Sequence, residues 1–134
     1  MKQVTGRART AHVPRSIPKA AFDPFLILLA KHGLPAPQTE YLFAAAKGRR
    51  WRADYCWLVH HTGTVLGGRA EFQGLIVEKN GGIWRKGGHS SGRGLLRDYE
   101  KANAAQLQGF CYLQFTPQQL TLQSTIDTLK RLLL

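Results

Sequence analysis

Eight carboxylates stand against nineteen Lys and Arg in 134 residues, so the position of each acid is informative. Asp54 lies inside an aromatic and apolar run from Trp51 to Trp57, and Glu78 closes the run Leu75-Ile76-Val77. Both runs read as strands, where a carboxylate has poor intrinsic propensity and, if buried, needs a partner. Two such groups on neighbouring strands can share a divalent cation, which neutralises both and polarises a phosphoryl oxygen. The plainer alternative is that each pairs with a basic residue in a structural salt bridge. A second polar cluster runs from Asp98 to Asn103, where helical spacing brings Asp98 and Lys101 to one face. A lysine near the carboxylates can orient a water or stabilise charge on a phosphate. Its plainer role is an exposed pair with Asp98 that contributes little.

Other catalytic templates fit the sequence poorly. His89-Ser90-Ser91 lacks the G-x-S-x-G elbow of serine hydrolases. Neither Cys56 nor Cys111 sits in a catalytic signature, and the five histidines lack zinc spacing. The glycine-rich stretch contains no P-loop and no dinucleotide fingerprint. Ten of the fourteen glycines nevertheless fall between Gly63 and Gly94. The segment Asn80 to Gly94 therefore reads as a loop combining glycine with Arg85, Lys86, His89 and Arg93, whose backbone amides can approach phosphate closely.

The elements that must position these residues follow from periodicity. Phe22, Phe25, Leu26 and Leu29 mark one face of a helix, with Asp23-Pro24 in its first turn and His32-Gly33 at its end. Glu40 to Ala45 and Arg50 to His60 read as strands. In the second, Trp51, Ala53, Tyr55 and Trp57 alternate with Arg52, Asp54 and Cys56, which places Asp54 on the face opposite both tryptophans. Thr64 to Phe72 continues in extended form with an interruption at Gly67-Gly68, and Gly74 to Glu78 is a short buried strand. A helix starts at Leu95, with Leu95, Tyr99, Ala102 and Gln106 on one side, and stops at Gly109. Phe110 to Phe115 is a strand, Thr116-Pro117 opens a short helix, and Ser124 caps a last one carrying Ile126, Leu129 and Leu132 or Leu133. This order predicts an α/β fold with a central mixed sheet flanked by helices.

The length suits one domain over residues 22–134, preceded by a basic arm over residues 1–21 with no acid before Asp23. Hydrophobic residues at 43% exclude wholesale disorder, and the longest apolar run, Phe25 to Ala30, is too short to span a membrane. The net charge of +11 favours a polyanionic partner, nucleic acid ahead of anionic lipid. The cysteines read as small buried residues of a reduced, cytoplasmic protein.

Several runs together carry a resemblance: Thr39-Glu40-Tyr41-Leu42-Phe43, Arg49-Arg50-Trp51-Arg52-Ala53-Asp54-Tyr55, Ile76 to Trp84, Gly87-Gly88-His89, Gly94 to Asp98 and Glu100-Lys101-Ala102-Asn103. From Gly33 to Thr116 the chain resembles the small phage- and prophage-type nucleases of the PD-(D/E)XK superfamily, and in outline the very-short-patch repair endonuclease relatives. The resemblance implies a restriction-endonuclease-like core and a Mg²⁺-dependent (or Mn²⁺-dependent) DNA endonuclease in a bacterial host cell. Branched or nicked DNA is one candidate substrate class, and mismatched duplex and single strands fit as well. It puts Asp54 and Glu78 in the two metal-binding acid positions, Asn80 in the third, Lys101 where some members carry the catalytic lysine, and Glu40 at an extra carboxylate near the site. Arg49, Arg50, Arg52, Arg85, His89, Arg93 and Arg97 become the expected phosphate contacts. A homodimer is a further expectation, since a one-site domain cutting two strands usually acts as a pair.

Two departures qualify this expectation. Asn80 stands where the superfamily has lysine or another acid; it offers a carbonyl to a metal but no positive charge. Lys79 points to the opposite face of a regular strand and is a poor substitute. The interval between Asp54 and Glu78 is also long, with residues 60–74 as an insertion that contacts DNA, forms a dimer surface or extends a hairpin. The rival reading is a DNA-binding module on a nuclease fold that has lost catalysis.

Overall fold

Asp23 starts the first helix by accepting a hydrogen bond from the Phe25 amide at 2.9 Å, with Pro24 in the first helical position, where its missing N–H costs nothing. A computed structural model of the chain describes residues 22–80 and 92–134. The basic arm, Arg85, His89 and most of the glycine-rich loop lie outside those residues. Helix α1, Pro24–Lys31, ends in a Schellman turn: Gly33, at φ +73°, donates to Ala30 O and Leu34 donates to Leu29 O. It buries Phe25 and Leu29, each contributing about 2 kcal/mol of apolar transfer. Phe22, expected on that face, stands outside the helix and is 64% exposed, because the capped turn at Asp23 breaks the helical period before it.

Among the described residues four strands form one sheet in the order β1 (Gln38–Leu42), β2 (Arg52–Leu58), β3 (Gly74–Lys79), β4 (Phe110–Phe115). The first three are antiparallel neighbours. β4 runs parallel to β3. That parallel pair needs a crossover, which helix α3 (Gly92–Leu107) supplies. The short helical turn α2 (Val59–Thr62) follows β2, and helix α4 (Gln123–Leu133) closes the chain.

Alternation along β2 and β3 divides the core between the two faces. Tyr55, Trp57, Leu75 and Val77 pack with Phe25 and Leu29 of α1 and with Ile126, Leu129 and Leu133 of α4. Cys56, Leu58 and Ile76 pack on the other face with Ala105 of α3. The architecture is therefore a central mixed sheet flanked by helices, an α/β fold. Both cysteines are free thiols, and burial pushes the Cys56 thiol up to about 12. Among the described residues no helix is long and apolar enough to cross a membrane.

Several boundaries differ from expectation. β1 stops at Leu42, and Phe43 and Ala44 turn into the core before a 3-10 turn at Ala45–Lys47. Trp51 precedes β2 and stacks on Phe43, so it joins the α3-side cluster while Trp57 lies in the other; the two tryptophans do not share a face. The expected extended segment from Thr64 to Phe72 instead holds a 3-10 turn at Leu66–Gly68 that buries Leu66 in the core shared with α4. Gly67 and Gly68, at φ +54° and +78°, permit that turn. Gly92 is already part of helix α3, ahead of the expected start at Leu95. Leu95 and Tyr99, expected inside, are exposed, because the side facing the sheet carries Lys101 and the small Ala105, which allows close approach. Ser124 lies within α4 rather than at its cap, and its carbonyl accepts from Thr128 Oγ1.

Candidate active site

The strand registers align the acids. Tyr55 pairs with Val77 and Thr39 with Tyr55, so one step further along the sheet Asp54 falls between Glu40 on β1 and Glu78 on β3. Glu78 in turn pairs with Gln114 on β4. Glu40, Asp54, Glu78 and Gln114 thus form one row across all four strands. The regular β2–β3 ladder ends at Tyr55–Val77, and side chains take over the backbone groups beyond it. The Asp54 amide donates to Glu78 Oε2 at 3.2 Å, and Asp54 Oδ2 accepts from the Lys79 amide at 2.7 Å. Each carboxylate therefore holds the other strand's backbone where the strands part, which keeps these amides from being orphaned.

Lys101 completes the group from the opposite side. Its Nζ donates to Glu78 Oε1 at 2.9 Å, reaching down from α3. The exposed Asp98–Lys101 pair, the plainer option in the sequence, does not form; among the described residues α3's other ion pair is Glu100 with Arg49, at 3.6 Å. Glu78 is only 8% exposed. Burial raises its carboxyl to about 7; the Lys101 ammonium opposes that shift and the Asp54 charge adds to it. Tyr112, on β4 beside Gln114, has its phenol pushed above the ordinary range, chiefly by burial and then by Glu78, Asp54 and Asp98.

The remaining predicted residues divide. Asn80 sits at the end of β3, where its Nδ2 donates to Gln114 Oε1 at 3.2 Å and its amide to Phe115 O. Glu40 is exposed and holds φ +52°, a left-handed conformation unusual for a residue with a Cβ. Arg50, Arg52, Arg93 and Arg97 are all exposed. Arg49 also stacks its guanidinium over Trp51, 3.9 Å from the ring centroid, so part of its role is to tie the entry of β2 to α3. Residues 60–74 pack against α4 through Leu66.

Sequence reasoning missed Gln114 and a cleft of about 640 Å³ beside Asp54. Gln114 had a signal, since it is the polar residue of an otherwise apolar strand. The cleft had none, because its walls come from Phe22, Glu40 and Lys79, far apart in the chain. Among the described residues no three His, Cys, Asp or Glu converge as a metal-holding group; Asp54 and Glu78 are a pair. The chain matches no family model, no curated protein and no solved structure.

Proposed function

We propose that this protein hydrolyses DNA phosphodiester bonds with a divalent cation, Mg²⁺ or Mn²⁺, on a restriction-endonuclease-like core of the PD-(D/E)XK type. One observation carries the reading: Asp54 and Glu78 stand side by side where β2 and β3 part, with Lys101 Nζ on Glu78. The order of elements, three antiparallel strands followed by a helical crossover to a parallel fourth, is consistent with the resemblance in the sequence.

The donor set fits such an ion. Mg²⁺ is commonly held by one or two protein carboxylates and completed by water and substrate phosphate, so a pair suffices. Two acids close enough that Asp54 raises the Glu78 pKa gain from a shared positive charge. The cation, when bound, supplies charge neutralisation at the phosphate and an acidified water. Asp54 and Glu78 hold it. Lys101 offers ammonium hydrogens to a water or to a phosphate oxygen beside Glu78. Asn80, anchored on Gln114, holds the end of β3 against β4. Arg50 and Arg52, at the exposed start of β2, and Arg93 and Arg97 on α3 supply backbone attraction to a chain of net charge +11.

The test incubates labelled duplex, single-stranded and four-way-junction DNA with the protein in Mg²⁺, Mn²⁺ or EDTA. Cutting in either metal and none in EDTA is expected. Salt-sensitive binding without cutting in either metal would instead support the catalytically silent DNA-binding module that the asparagine at position 80 first brings to mind.

A further inference from the structure

Asp54 has a second neighbourhood, on the α1 side of the sheet. The cleft of about 640 Å³ there lies within the range of about 300–1,000 Å³ that small organic ligands occupy. Its lining joins three chemistries. Phe22 and Pro24 give an apolar rim, and the Phe22 ring is 64% exposed. Lys79 brings a cation to the same wall, because alternation along β3 turns it away from Glu78 and towards this face. Glu40 brings a carboxylate, held at φ +52° directly across the sheet from Asp54. A non-glycine residue in that conformation costs about 1–3 kcal/mol and persists where the surroundings impose it. The floor is fixed, since the Tyr55 hydroxyl donates to Asp23 Oδ2 and Asp23 also caps α1.

These parts match the parts of a nucleotide. An exposed aromatic ring stacks on a base, an ammonium meets its phosphate, and a carboxylate accepts from an exocyclic amino group. A base in intact duplex still exposes its phosphate and a groove-side amino hydrogen, but both its faces are stacked, so it cannot offer a ring face to Phe22. We infer that the cleft receives one unpaired nucleotide of the strand whose phosphate lies at Asp54, making DNA with an unpaired segment the substrate class. This rests on the proposed hydrolysis of DNA, and deepens it.

The experiment measures binding in EDTA, where cutting does not interfere. Fluorescence anisotropy compares a single strand with a duplex of the same sequence, for the unaltered protein, Phe22→Ala and Phe22→Trp. The ring is exposed, so its removal leaves the core packed. The Phe22→Ala change should weaken single-strand binding roughly five- to 150-fold, the size of one lost base stack, and change duplex binding by no more than about two-fold. Phe22→Trp should restore single-strand binding. Equal loss on both DNAs, loss on neither, or no rescue by tryptophan overturns the inference. Metal-dependent cutting without strand-selective loss in Phe22→Ala removes the cleft alone and leaves the hydrolase reading standing. Strand-selective loss without cutting in any metal removes the hydrolase reading and leaves the cleft as a nucleotide site.

Discussion

Replacing Lys101 by methionine keeps the aliphatic stem and deletes the ammonium that sits 2.9 Å from Glu78 Oε1. The consequence depends on pH. In the native protein burial raises the Glu78 carboxyl from its ordinary 4.5 to about 7. The folded state therefore keeps a proton that the unfolded chain releases. Stability from this group is whole below the ordinary value and falls by about 1.4 kcal/mol per pH unit up to the folded value, about 3 kcal/mol in all. Above that point the unaltered protein loses nothing further through Glu78. Without Lys101 the desolvated carboxylate holds its proton longer, as buried unpaired glutamates do, and the decline continues. Urea unfolding in EDTA at pH 6 and pH 8.5 reads the difference. At the lower pH Lys101→Met should cost about 1 kcal/mol, one lost hydrogen bond. At the higher pH the gap should widen by about 2 kcal/mol. Glu78→Gln combined with Lys101→Met should abolish the widening. A loss of equal size at both pH values would refute the reasoning and leave Lys101 a packing residue.

Two further perturbations test the framework around the site. A Cβ added at Gly74 would lie 2.7 Å from the Trp57 carbonyl oxygen and 2.9 Å from the Phe110 ring, so Gly74→Ala should lower unfolding stability by roughly 3 kcal/mol through overpacking, measurable by urea denaturation. If Arg50 and Arg52 meet phosphates, Arg50→Ala and Arg52→Ala should each reduce the slope of log affinity against log salt by about 1, read by anisotropy across a salt series.

The acid pair was legible because carboxylates inside apolar strands are conspicuous, and the register then sets Asp54 beside Glu78. The caps of α1 were legible for a similar reason, since Asp-Pro and His-Gly act through their own backbone chemistry. What periodicity could not convey was approach distance. Leu95 and Tyr99 look like an inner face, yet α3 presents Ala105 and Lys101 to the sheet, because Lys101 reaches a buried acid that lies 23 positions earlier in the chain. Trp51 was misplaced because the strand begins one residue later, at Arg52, and a residue beyond a strand's end is free to fold over either face. The Glu40 conformation and the cleft depend on long-range packing, which leaves no local pattern to read.

The most direct test of the central claim compares the unaltered protein with Asp54→Asn, which keeps an acceptor for the Lys79 amide but loses the charge. Both are brought to equal DNA occupancy, and cutting of labelled DNA is followed as Mg²⁺ or Mn²⁺ is added. The account predicts metal-dependent cutting by the unaltered protein and none by Asp54→Asn, with DNA binding retained. Cutting that survives in Asp54→Asn, or that proceeds in EDTA, would contradict it.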